Sequence, residues 1–230
     1  MNIIVPLAGP NMLLPDGSLK CCQKVNGVPL LRATLESRPW HNNHVRLNYF
    51  FIFEDLPETR CFANRDLINW YPRAKVTFIS NQTKGAALSV LGGLTMVQPN
   101  NEPILVDLAD IIYETDAIPL EILESKEKIG AIAFTFSSNS PKYSYLNFDE
   151  NDKFLEAREK TVISDHASAG TYVFKNYAVY LSCLSWYLSI GKKYKYNDLF
   201  FVCPLLNAIR HNNLEVMNYK VKKVFDVKID

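Results

Sequence analysis

Five short segments carry side chains whose types and spacing could do chemistry on phosphates. The first, VPLAGPNMLLPDGSLK (5–20), sets Leu7, Ala8 and Gly9 at the end of an apolar run and Lys20 further on. A loop whose backbone N–H groups face an anion needs glycine for close approach, and a lysine adds a mobile positive charge. Only Gly9 and Gly17 are supplied here, and Pro10 has no N–H to offer. In SNQTKGAALSVL, Gln82 presents both a donor and an acceptor, which suits the edge of a nucleobase, and Gly85 would let a flat ring lie against the backbone. A plain strand-to-helix turn accounts for the same residues. In ILVDLADIIYE, a carboxylate at the exit of a buried strand could hold Mg²⁺ against substrate phosphates. Asp107 lies inside the apolar run and Asp110 at its exit. A solvated loop acid or helix cap fits either one. Glu159-Lys160 and the terminal Asp226 carry charge, and taken alone each is ordinary surface decoration.

The elements that must position these residues follow from hydrophobic periodicity. Short runs rich in β-branched and aromatic residues predict strands at 3–7, 47–53, 74–79 and 104–108. Helix-like spacing predicts helices at 28–38, 58–70 and 85–97 between them. That alternation implies βαβ units and a largely parallel sheet, whose ligands sit at the carboxyl edge of the strands. All five segments except the Glu-Lys pair fall at such strand ends or at the chain's end. The second half changes character, with strands at 130–136, 143–148 and 170–174, a hairpin turn at 149–152, helices at 177–189 and 197–210, and a strand at 214–219. The fold class is therefore α/β, a doubly wound unit continued by a mixed sheet. No repeat or linker-like shift divides it, so residues 1–230 are expected to form one domain.

Bulk properties narrow the function. With 230 residues, 48% hydrophobic and 21% charged, the chain can bury a full core. A net charge of +1 supplies no field for nucleic acid or an anionic membrane. The apolar start, interrupted by Pro6 and Gly9, is too short for a signal peptide or a membrane span. Five cysteines without CxxC spacing point to reduced thiols and a cytoplasmic protein.

In their order along the chain, these pieces resemble the sugar-phosphate nucleotidylyltransferases, also called nucleoside-diphosphate-sugar pyrophosphorylases. MNIIVPLAG with Lys20 and VNGVPLL is similar to that family's first strand, phosphate loop and following segment. QTKGAALSVL resembles its base-binding segment, EPILVDLAD its metal-binding strand end, and KYSYLNFDENDKFLEAREKTVISDHASAGTYVFK its acceptor-binding run. The resemblance covers essentially the whole chain. It implies the nucleotide-diphospho-sugar transferase fold (GT-A-like, Rossmann-like), with a mixed, mostly parallel sheet and helices on both faces. Residues 1–115 would form the nucleotide half and 116–230 the acceptor half. Leu7, Ala8, Gly9, Gln82 and Gly85 would bind nucleotide, and Glu159, Lys160 and Gly170 the second substrate. Asp110, rather than Asp107, and Asp226 would hold Mg²⁺, with Lys20, Asp110 and Lys160 carrying catalysis.

The implied reaction joins an NTP (CTP, UTP or dTTP) to a phosphorylated metabolite, a sugar phosphate by default, with release of pyrophosphate. It belongs to sugar-nucleotide and capsule-polysaccharide biosynthesis, without nucleic acid or membrane as partner, and is compatible with a homodimer. A non-catalytic nucleotide-sugar-binding relative and a GT-A glycosyltransferase stand as alternatives. The loop departs from the family, whose further glycines and arginine are replaced here by Pro10, Asn11, Met12, Leu13 and Leu14. The family's proline next to the lysine is missing, and Asp16 adds a negative charge nearby.

Overall fold

A computed structural model describes residues 1–42 and 46–226; for residues 42, 191, 192 and 226 it describes the backbone only. The first apolar run forms β1 (Asn2–Leu7), and a looped excursion then leads to a ribbon of β2 (Lys24–Val25) and β3 (Val28–Pro29). Helices α1 (Leu30–Leu35) and α2 (Pro39–Asn42) follow. Next come β4 (Asn48–Glu54) and α3 (Pro57–Phe62), which continues through a π-helical turn at Ala63–Leu67 into α4 (Ile68–Trp70). The first half closes with β5 (Lys75–Ile79), α5 (Ala86–Leu94), β6 (Ile104–Asp107) and β7 (Ile111–Glu114). The second half holds α6 (Pro119–Ser125), β8 (Ile129–Ser137), β9 (Tyr145–Phe148), β10 (Phe154–Arg158), β11 (His166–Phe174) and α7 (Tyr177–Ser189). A 3-10 stretch over Cys203–Asn212, β12 (Glu215–Lys220) and β13 (Lys222–Asp226) end the described chain.

Nine of these strands make one sheet. Strands β5, β4, β1 and β6 are parallel, as the alternating periods predict. Strand β11 enters antiparallel to β6, β8 pairs antiparallel with β11, and β12 runs parallel to β8. The hairpin β9–β10 pairs with the first part of β11.

Side chains on a strand alternate between faces, and both faces of this sheet are covered. Ile3, Val5 and Leu7 join Phe51, Phe53, Leu31, Leu35 and Phe62 in one core. Ile4, Phe50, Ile52 and Val106 join α5, α7 and the 3-10 stretch in the other. This is why the central strands are nearly continuous apolar runs.

Two helices differ from the sequence expectation. The helix expected at 28–38 begins only at Leu30, because Asn26 and Gly27 at positive φ turn Val28–Pro29 back against Lys24–Val25. The helix expected at 197–210 starts at Cys203 and is 3-10, because Asn197 and Asp198 both adopt positive φ and form a tight turn. Its buried run from Cys203 to Ile209 still provides the apolar face that the spacing indicated. The short β7, α6 and β13 had no readable period. No helix among the described residues is long and apolar enough to cross a membrane.

Candidate active site

Three adjoining hollows open where the parallel strands end, and all three share Pro6 and Asn11. The first, about 390 Å³, is lined by Lys20, Asp110, Glu159, Lys160, Gly170 and Tyr172 among others. The second, about 220 Å³, lies against Leu7, Gly9, Lys20 and Asp110. The third, about 330 Å³, is bounded by Ala8, Gly9, Gln82, Gly85, Lys160 and Phe201. Residues distant in sequence are thus gathered at one edge, including every sequence-derived candidate except Asp226. The side chain of Asp226 lies outside the described residues; its backbone pairs with Ile111, next to Asp110.

The loop after β1 is a folded excursion rather than an open cradle. The Met12 amide donates to Gly9 O at 3.1 Å, Leu14 to Ser18 O at 2.9 Å, and Lys20 to Met12 O at 2.8 Å, so Lys20 returns beside Gly9. Leu19 is buried in the core and Met12 and Leu13 pack against it. These apolar residues anchor the loop by burial, a role glycines could not fill. Asp16 is turned to solvent, where hydrogen bonds from the Ser18 hydroxyl (2.6 Å) and amide (2.9 Å) hold its carboxyl below its ordinary value. Its charge is therefore directed away from the hollows.

Asp107 and Asp110 have different surroundings. Both oxygens of Asp107 are taken by Arg38, with Nε at 2.9 Å and Nη2 at 3.3 Å, and both side chains are 1% exposed. Thr171 Oγ1 donates to the same carboxylate at 3.2 Å, and the Tyr113 hydroxyl donates to Thr171 at 2.7 Å. The Arg38 guanidinium lies 3.7 Å from the Tyr113 ring centroid and also donates to Ile111 O at 3.0 Å. Burial opposes its charge, but Asp107 and Tyr113 outweigh that and raise its pKa.

Asp107 also accepts the Ala109 amide at 2.9 Å, closing a turn in which Ala109 takes φ 53°. That left-handed step ends β6 and turns Asp110, half-buried, into the hollow. Opposite it, β11 bulges at Gly170 (φ 77°), where an added Cβ would come within 3.2 Å of Asp110 Oδ1. Glycine keeps that flank of the carboxylate open.

Gly85 has a clearer structural cause than ligand approach. At φ 111° and ψ 165° it occupies a region essentially restricted to glycine, and an added Cβ would lie 2.2 Å from Phe200 O. Phe200 N donates to Lys84 O at 2.8 Å and Phe200 O accepts from Ala87 N at 3.1 Å, binding the 196–201 segment onto the start of α5. Gly85→Ala is expected to lower stability by about 3 kcal/mol and the melting temperature by roughly 6 °C, read by thermal denaturation. An unchanged melting curve would show that Phe200 can move away.

Gln82 Nε2 donates to Glu54 Oε2 at 3.2 Å, which leaves its carbonyl oxygen as the outward acceptor. Lys160, at φ 48°, carries its ammonium 5.4 Å from the Tyr196 ring centroid. Glu159, almost buried, accepts a short hydrogen bond from the Ser144 hydroxyl. Mg²⁺ takes one or two carboxylates together with phosphate oxygens and water. Asp110 fits that donor set, and among the described residues no group of three or more His, Cys, Asp or Glu forms a closed metal cage. Sequence spacing missed Asn11, Tyr172, Tyr196 and Phe201, which line the hollows. It also missed Arg38, a single cation at the end of an apolar helix pattern. The one available signal was that Asp107, within an apolar run, required a buried partner.

All five cysteines are thiols, and the Cys21 and Cys22 sulfurs lie 4.0 Å apart. The hydrogen bond between them lowers the Cys22 pKa and raises that of Cys21. Burial pushes Cys183 up to about 12 and raises Cys203 as well. Iodoacetamide near neutral pH is therefore expected to label Cys61 and Cys22 while sparing the other three, with Cys22 reacting at lower pH than an ordinary thiol. Peptide mass spectrometry checks the order, and equal labelling of Cys21 would contradict it.

A scan of the sequence against protein-family models finds no match, and neither does a comparison with curated protein sequences. Solved structures do match. A nucleoside-diphosphate-sugar pyrophosphorylase from Vibrio cholerae RC9 superposes with a TM-score of 0.82 at 19% identity, over 98% of this chain and 95% of that one. The inositol-1-phosphate CTP transferase of T. maritima gives a TM-score of 0.70 at 13% identity, over 97% and 86% of the two chains. Over nearly its whole length, the chain has the mixed, mostly parallel α/β fold of the nucleotidyltransferases.

Proposed function

We propose that this chain is a nucleotidylyltransferase that joins an NTP to a phosphorylated small metabolite, a sugar or polyol phosphate, with release of pyrophosphate. The observation that carries this reading is the convergence of Lys20, Asp110 and Lys160 on one hollow, beside a second hollow that holds Gln82 and Gly85. The whole-length likeness to proteins whose names state such activities supports it.

In this reading, residues 1–115 form the nucleotide half of a single domain and 116–230 the acceptor half. The Gln82 carbonyl accepts a hydrogen from the base, an N–H that uracil, thymine and cytosine all present in some form. Lys20 neutralises charge on the α-phosphate and the departing pyrophosphate. Lys160 draws the acceptor phosphate into line, and Glu159 and the open flank at Gly170 receive acceptor hydroxyls. Asp110 and Asp226 would hold Mg²⁺, which when bound cancels repulsion between the two anionic substrates. Alignment and charge neutralisation then account for the rate, because phosphoryl-type transfer asks little covalent chemistry of the protein.

The folded loop favours a second reading. The Met12 and Lys20 amides are spent within the loop and Pro10 has none, so fewer N–H groups face a triphosphate. A nucleotide-sugar-binding relative without turnover would tolerate that loss. A pyrophosphate-release assay with CTP, UTP and dTTP against a panel of sugar and polyol phosphates, with Mg²⁺, separates the two. Release with one pair supports the enzyme. Sugar-nucleotide binding without release under any pair supports the binding protein.

A further inference from the structure

A second concavity lies at the opposite edge of the sheet, where the parallel strands begin. Strands β1, β4 and β5 start there, at Asn2, Asn48 and Lys75. The hollow measures about 410 Å³, within the range of small-molecule sites, and is lined by Asn2, Arg46, Asn48, Arg73, Lys75 and Glu102 among others.

Its floor is built and its rim is charged. Asn48 Nδ2 donates to Asn2 Oδ1 at 3.1 Å, and Asn2 Nδ2 donates to Glu102 Oε2 at 3.1 Å. Asn2 is only 3% exposed, so this amide ladder is fixed across neighbouring strands. Glu102 brings one carboxylate to the hollow, against three cations. Around this floor stand three cations, and none forms an ion pair with a described residue. Lys75 Nζ donates to Met96 O at 3.4 Å and lies 5.5 Å from the Phe50 ring centroid. Like charges gathered at a concave surface repel one another and concentrate a positive field within it. Two guanidinium forks and an ammonium match the oxygens of phosphoryl groups.

We propose that this amino-edge hollow binds a compact polyanion bearing two phosphoryl groups, at a site separate from the carboxyl-edge hollows. A hollow of about 410 Å³ suits a small anion better than an acidic peptide. β1 and β4 run from this site to the loop carrying Gly9 and to Glu54, which holds Gln82.

The test is calorimetric titration of the full chain with 2,3-bisphosphoglycerate, and with inorganic phosphate in parallel. Wild type, Lys20→Ala, and the double variant Arg73→Ala with Lys75→Ala are compared. Each lost charge-assisted contact is worth roughly tenfold in Kd. The expected result is saturable bisphosphate binding that survives Lys20→Ala and weakens at least tenfold in the double variant, with inorganic phosphate weaker still. Arg73 and Lys75 are solvent-exposed, so the double variant should keep the wild-type melting temperature; Arg46→Ala is the substitute if it does not. No saturable binding up to about 10 mM in wild type overturns the proposal. So does binding that disappears with Lys20→Ala, or binding that persists undiminished in the amino-edge variants.

Discussion

Asp110→Asn is expected to lower kcat for pyrophosphate release by well over tenfold while leaving the melting temperature within about 2 °C of wild type. The substitution keeps the shape of the side chain and removes its charge, so the turn that presents residue 110 should persist. That turn is held by the Asp107–Ala109 hydrogen bond and by the left-handed Ala109, neither of which uses the Asp110 carboxylate. What is lost is the one carboxylate among the described residues that lines both the first and the second hollow. Lys20→Ala should act in the same direction, because its ammonium faces the same two hollows and its amide, which holds the loop, is unaffected. If kcat in either variant stays near wild type, the assignment of these residues to catalysis fails. If both variants fail to melt cooperatively, the residues are structural, and circular dichroism distinguishes the two outcomes.

Arg38→Met should have the largest effect on stability. It leaves Asp107, 1% exposed, deprived of its bidentate partner. Breaking a buried pair from one side costs about 3–5 kcal/mol, which for a chain of this length corresponds to roughly 6–10 °C in Tm. Asp107 would still accept from Thr171 and Ala109, which sets the loss at the lower part of that range. The pair is not expected to make stability depend on pH from its cationic side. A raised arginine pKa contributes stability that is fully present below the ordinary arginine range and is lost only as pH climbs through the raised value. Thermal melts of Arg38→Met near neutral pH should be displaced downward from wild type. A displacement under about 1 kcal/mol would show that the surroundings rehydrate Asp107. Arg38 is a positioning residue in this scheme, since it reaches the hollow only through Asp107 and Ala109. Turnover of Arg38→Met, measured well below its melting temperature, should fall in kcat more than KM rises.

The parallel half of the fold was legible because its strands are buried on both faces. Residues 3–7, 47–53 and 104–108 are continuous apolar runs, and chains rarely place such runs anywhere but a central sheet. The 197–210 region was misread for a complementary reason. Its apolar spacing is helical, but Asn197 and Asp198 take left-handed backbone conformations in a turn closed by Tyr196 and Leu199 and held in place by the contact of Phe200 with Lys84 and Ala87. That contact joins distant segments and leaves no periodic trace. Gly85 illustrates the same limit. Its identity was visible, and a flat ligand was one reason for it, but the backbone of Phe200 occupies the space that a Cβ would need.

By itself the sequence determined the fold class, the order of the chemical segments, and the edge of the sheet on which they gather. Local periodicity and strand direction carry that information. The resemblance pointed to Asp110 over Asp107, and tertiary structure supplied the physical reason. Burial of Arg38 against Asp107 commits that carboxylate to the scaffold, and the left-handed step at Ala109 carries Asp110 to the hollow. Tertiary structure alone decided the character of the 8–20 loop. Its apolar middle read as damage to a phosphate cradle, and packing of Leu19, Met12 and Leu13 on the core makes it the anchor that brings Lys20 back to Gly9. In both cases the deciding interaction joins residues far apart in the chain, and its energy comes from burial that exists only once the sheet is assembled.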